Sequence, residues 1–208
     1  MVQLPVPRLR IALLAGAIVA AGCGVGGGDG GASFDPSGPC LADGQRGSAY
    51  PALEALVPVS LGGRSPDRLD SGRSCTDKAL GTLRSHGMSE LRFAGGLWEL
   101  GRNSGTTLVV FDSPTPLEAQ WLAEFYEAGA RAGRKTEGIE SKPVDVAGTR
   151  GFRLDTLNDD SYQTVVVWPR AGRIAAALVG SSVREVTSRD AHEQAVIAAL
   201  AAFGAPAG

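Results

Sequence analysis

Two neighbouring segments, YQTVVVWP at 162–169 and RIAAALVG at 173–180, are apolar at odd and even positions alike. Successive side chains of a strand point to opposite faces, so both faces of these two strands need cover. That places them in the middle of a sheet with helices packed on either side. Pro169-Arg170-Ala171-Gly172 turns the first into the second, which makes them antiparallel neighbours.

The segments before this pair alternate instead. Val144 and Val146 share one face of 142–146, and Phe152 and Leu154 alternate with Arg153 and Asp155 in 152–156. AGTRG at 147–151 and LNDDS at 157–161 supply the turns. Upstream, strands are predicted over 90–100 and 106–111, joined by a hairpin loop GRNSG at 101–105. SLGGRSPDRLDSGRS at 60–74 reads as a polar loop.

Helices are predicted over 50–57, stopped by Pro58, and over 76–85, where Ala79, Leu80 and Leu83 recur before Gly87. Pro116 opens the clearest helix, with Leu117, Trp121, Leu122, Phe125 and Ala128 as one apolar stripe and Tyr126 at its edge. Aromatic residues at helical spacing are read as core, not as a cofactor box. A last helix is capped by Ser188 or Asp190 and buries Val196, Ile197, Leu200 and Phe203. The expected fold is a single α/β (α+β) sandwich over 40–208, with a mainly antiparallel sheet covered by helices.

The first 39 residues belong to none of this. Arg8 and Arg10 precede a short apolar run (IALLAGAIV, 11–19), and small residues follow at Ala20, Ala21 and Gly22. That order is a secretory signal peptide over 1–22. The run is about half the ~20 residues needed to cross a bilayer. Ala20-Ala21-Gly22-Cys23 resembles the lipobox of bacterial lipoproteins, with Ala20 where Leu is usual. The resemblance implies a diacylglyceryl thioether on Cys23 and cleavage before it, leaving the domain anchored to the outer, extracytoplasmic face of the cell membrane. Gly, Ser, Asp and Pro dominate the residues that follow, so 23–39 reads as a lipidated flexible tether.

With Cys23 assigned to lipid, Cys40 and Cys75 remain. In an exported protein an even remainder most simply means one disulfide, with a reactive thiol or a metal site as the alternatives. Formal net charge is −2, and −4 once Arg8 and Arg10 are removed. No Lys/Arg-rich run marks nucleic-acid binding, and membrane association is expected from the lipid.

The succession of helix, two strands, helix, four strands, helix on a lipoprotein tether is similar to small bacterial lipoproteins of the PsbP-like group. The likeness rests on VDVAGTRGFRLD, YQTVVVWPRAGRIAAALVG and the closing helix, the last 70 or so residues. It implies binding or assembly rather than catalysis, and carries over no functional residue.

Chemistry is hard to find in the chain. There is no Gly-x-Ser-x-Gly, Ser-x-x-Lys or His-Glu-x-x-His. His86 is expected at a helix end and His192 exposed in the first turn of the last helix. Asp155, Asn158, Asp159 and Asp160 are the densest acidic group, and their spacing suits a turn better than a calcium loop. No cofactor and no metal site are expected. The reading is a lipid-anchored binding or interaction module for a small ligand or envelope protein, first tested at the loops 62–74 and 101–105. The alternative is a secreted-side hydrolase whose carboxylate acid/base residues are dispersed in sequence.

Overall fold

The computed structural model describes residues 34–101, 104–186 and 188–204. Strands Gly44–Arg46 (β1), Arg68–Ser74 (β2), Leu91–Gly101 (β3), Ser104–Asp112 (β4), Thr136–Val146 (β5), Thr149–Asn158 (β6), Ser161–Arg170 (β7) and Arg173–Ser182 (β8) form one antiparallel sheet. Its order is β1-β2-β3-β4-β8-β7-β6-β5. The chain lays down one four-stranded meander, crosses to the far edge, and returns by a second meander to pair β8 with β4 in the centre. The two segments apolar on both faces are thus β7 and β8, and they lie in the interior of the sheet as their composition requires.

Each face has its own core. Helix Asp77–Leu80 (α2), the 3-10 segment Gly81–His86 and helix Ala119–Ala132 (α3) cover one, burying Leu80, Leu83 and Leu122 completely. Full burial of such a side chain stabilises by roughly 1.5–3 kcal/mol. Helix Pro51–Glu54 (α1) and helix Arg189–Ala202 (α4) cover the other, over Trp98, Trp168 and Ala177. Ser188 caps α4, its Oγ accepting from the Ala191 N–H at 3.2 Å. Type I′ geometry closes two hairpins of the second meander: Ala147–Gly148 and Ala171–Gly172 have positive φ throughout. Pro143 is tolerated because β5 is an edge strand.

Several expectations change. The polar stretch 60–74 is only half loop, since Arg68–Ser74 is β2, and β1 pairs outside it. Its burial comes from the segment 34–39, part of the expected tether, which lies on the sheet. Arg73, 5% exposed, donates to the carbonyls of Asp35, Gly38 and Pro39 at 2.8–3.0 Å. The Phe34 ring packs against Gly44, where a side chain would have no room. The segment 34–39, ahead of Cys40, therefore packs with the folded part. Cys40 and Cys75 are bridged, with Cα atoms 5.4 Å apart.

Helix α3 starts at Ala119 and not at Pro116, with Glu118 still extended. Leu117 packs on the core from this extended stretch. Tyr126 is buried at the centre of the α3 face, and Ala128 is exposed.

Candidate functional site

The late start of α3 leaves part of the sheet uncovered. Between the first residues of the helix and the turns Ala147–Gly148 and Ala171–Gly172 lies an open groove of about 940 Å³. That volume falls in the range of small-molecule sites. Phe152 and Ile174 form its floor, and Leu117 and Pro169 extend the apolar surface. Arg150, Arg170 and Arg173 line it.

The three guanidiniums are only loosely engaged. The Arg150 guanidinium makes no hydrogen bond or ion pair among the described residues, with Asp145 as its strand partner. Arg173 approaches Asp112 at 3.9 Å, and its Nε has no hydrogen-bond partner. Arg170 donates to the Phe203 carbonyl at 3.2 Å and lies 5.3 Å from that ring, which holds it toward the α4 face of the sheet without neutralising it. The first turn of α3 has neither a side-chain cap nor an acidic residue, so its N–H dipoles add to the positive field. Against these stand Asp112, Asp145 across the strand pair from Arg150 and, on the rim, Glu118. The arrangement suits an anionic group attached to an apolar body.

A second polar assembly is closed. Helix α4 lays His192 on the sheet, where Nδ1 lies 2.8 Å from Ser181 Oγ and Nε2 2.9 Å from Thr164 Oγ1. Thr164 donates its only hydroxyl proton to Asp155 at 2.5 Å. His192 Nε2–H must therefore donate to Thr164, and Nδ1 of the neutral ring accepts from Ser181. Arg153 grips both carboxylates around it, Asp155 at 2.8 and 2.9 Å and Glu193 at 2.6 and 2.7 Å.

Burial pushes the His192 pKa below its usual value, and the nearby Asp155 and Glu193 charges only partly oppose that. Burial would raise the Asp155 pKa, but the hydrogen bonds from Arg153 and Thr164 outweigh it and hold the carboxyl low. The hydrogen bond from Arg153 holds Glu193 low as well. Both carboxylates are thus ionised. They are not pushed apart into an acid and a base.

His192 and Asp155 are the two corrections among the chemical residues. His192 is 3% exposed, not solvated, and Asp155 is 3% exposed, separated from the turn in which it was expected. The turn keeps Asp159, paired with Lys135, and Asp160, paired with Arg184. His86 does end a helical segment before Gly87, stacked on Trp121 and 2.7 Å from Glu124. The alternation of Arg153 and Asp155 opposite Phe152 and Leu154 was the one sequence sign of a polar site beneath the terminal helix. Nothing local indicated that Arg150, Arg170 and Arg173 gather at one end of the sheet.

The loop 62–67 bonds to β3 just before the 101–105 hairpin: Arg64 donates to the Glu99 carbonyl at 3.4 Å, and the Glu99 N–H to Asp67 at 2.7 Å. They sit at the opposite end of the strands from the groove, and Arg102 and Asn103 lie outside the described residues. The signal peptide 1–22, Cys23 and residues 24–33 of the tether also lie outside them. Among the described residues no group of His, Cys, Asp and Glu gathers as a metal site, and no helix is long and apolar enough to cross a membrane.

Comparison with protein-family models and with curated proteins finds no match. Among solved structures the chain is similar to the solution structure of cyanobacterial PsbP (CyanoP) from Synechocystis sp. PCC 6803. Identity is 9%, over 82% of this chain and 95% of that one, with a TM-score of 0.36.

Proposed function

We propose that this chain is a lipid-anchored binding module on the extracytoplasmic face of the cell membrane, and that its ligand docks an anionic group in the arginine-lined groove. The observation that carries the reading is the groove itself: an accessible apolar floor with Arg150 on its face, and with Arg170 and Arg173 at the same end of the sheet. The lipobox-like Ala20-Ala21-Gly22-Cys23 supports the anchor, and the Cys40–Cys75 disulfide suits an exported chain.

Native mass spectrometry of the full-length protein extracted from its own membranes tests the binding. An anionic species should accompany the wild type and be lost from Arg150→Ala/Arg173→Ala. A species retained by that variant, or none in either, overturns the groove as the binding element. Labelled palmitate should enter the wild type and not Cys23→Ala; equal labelling removes the anchor.

One observation favours a hydrolase instead. Ser181 Oγ donates to His192, which is oriented in turn by Thr164 and Asp155, an order of nucleophile, base and orienting group. Ser181 is 3% exposed beneath α4, so a substrate would have to displace that helix. Labelling of Ser181 by a fluorophosphonate in the native protein would establish the hydrolase reading; an unreacted serine leaves the assembly structural.

A further inference from the structure

We propose that the groove end of the sheet is the face turned toward the bilayer, and that Arg150, Arg170 and Arg173 receive the headgroups of anionic phospholipids there. The proposal rests on the lipid-anchored reading and names the ligand of the same groove.

Strand register places the chain's entry and the groove at one end. Arg73 pairs with Gly44 and Arg92, and Arg92 with Asp112. Phe111 pairs with Ile174, Ile174 with Pro169, and Phe152 with Val167. A single row along this edge of the molecule therefore runs from Arg73 to the groove floor. Phe34, the first described residue, rests on that row, its ring 5.8 Å from the Arg73 guanidinium. The three carbonyl bonds to Arg73 and the Cys40–Cys75 bridge fasten the segment there. Phe34 therefore sits at the groove end.

Distances agree. Four strand spacings separate β2 from β7, roughly 19 Å at ~4.8 Å each. The eleven peptide links from Cys23 to Phe34 can span at most roughly 36–40 Å. A lipid on Cys23 therefore keeps the groove within reach of the surface that holds the lipid.

The chemistry of this end fits a headgroup layer. Leu41, next to the disulfide, is 81% exposed and can enter the interface. Most carboxylates here are occupied: Asp43 accepts from Cys75 and Thr76, Asp77 pairs with Arg84, and Glu90 with Arg92. Asp145 accepts from the Gly148 N–H. Asp112, Glu118 and Asp145, the strand partner of Arg150, are the carboxylates that face the three arginines. Each arginine near an anionic surface strengthens partitioning by about fivefold. The lipid supplies attachment, and the arginines supply orientation.

The test uses the full lipidated protein in vesicles of phosphatidylcholine with or without phosphatidylglycerol. A fluorophore is placed at Ala171→Cys on the groove turn or at Gly63→Cys at the opposite end, and quenched by nitroxide-labelled lipid. With phosphatidylglycerol present, quenching at position 171 should exceed that at 63 several-fold. The ratio should fall toward one in Arg150→Ala/Arg173→Ala and in phosphatidylcholine alone. Equal quenching at both positions, or a ratio indifferent to the arginines, overturns the proposal. So does saturation of the groove by soluble glycerol phosphate in protein that shows no preferred orientation, which would assign the site to a free anion. Protein that does not float with vesicles at all refutes the lipid anchor, a separate failure.

Discussion

The neutral state of His192 should be visible in the pH dependence of folding. Its ring is sealed between Ser181 and Thr164, and burial holds its pKa below the ordinary value of 6.5. The unfolded chain takes up a proton near 6.5 and the folded chain does so only at lower pH, so acidification favours unfolding. This contribution is complete above pH 6.5 and is lost as pH falls toward the folded pKa. The slope is at most 1.36 kcal/mol per pH unit for one proton. Between pH 6.5 and 5.0 the loss therefore reaches at most about 2 kcal/mol. The carboxylates Asp155 and Glu193, whose pKa values are lowered, lose their contributions only on further acidification.

The chain has two histidines, so the measurement belongs in a His86→Asn background, where His192 is the only imidazole. Urea unfolding followed by tryptophan fluorescence at pH 7.5 and 5.0 should show the loss with an unchanged m-value. His192→Asn, though less stable throughout, should show no pH dependence in that window. Equal stability of the His86→Asn protein at the two pH values, or a gain on acidification, would refute a buried neutral imidazole.

Reduction of Cys40–Cys75 should lower stability by about 3–4 kcal/mol on the chain-entropy account of a loop of 35 residues. Alkylation of either thiol in the native oxidised protein would contradict the bridge. Arg73→Ala should release the segment that ends at Pro39, exposing Phe34 to chymotrypsin while the wild type resists. Comparable cleavage of both proteins would show that the disulfide alone holds the segment.

What can be read in the sequence is whatever is written in short-range periodicity. The apolar runs of β7 and β8 and the spacing of Val196, Leu200 and Phe203 state their burial locally. β2 does not, because RLDSGRS buries Ser71, Arg73 and Ser74 through partners more than 15 residues away. A polar strand whose cover is another polar segment leaves no alternation to detect. Local pattern puts His192 in the right turn of the right helix and on the wrong side of it. Its neighbours Ala191 and Glu193 give no reason for burial, and its hydrogen-bonding partners are 11 and 28 residues away. The groove is hidden for a related reason: Pro116 is a good first helical residue, but the packing of Leu117 keeps the chain extended to Glu118.

Arg153 separates two accounts of the closed assembly, one in which the ion pairs stabilise the fold and one in which they merely satisfy each other. Its side chain is 15% exposed, that of Asp155 is 5%, and that of Glu193 is 39%. Arg153→Met keeps most of the packing volume and strands both carboxylates. Glu193 can turn to water; Asp155 cannot, and an uncompensated buried charge costs about 3–5 kcal/mol. Arg153→Met/Asp155→Asn removes the charge as well as its partner, and the carboxamide oxygen that replaces the carboxylate can still accept the Thr164 hydroxyl proton. The double variant should then recover at least about half of the loss, because breaking such a pair costs more than replacing it. Urea midpoints of the two variants and wild type at pH 7.5 decide the matter. A double variant no more stable than Arg153→Met would mean that Arg153 contributes through other contacts, and the assembly would have to be explained without its ion pair to Asp155.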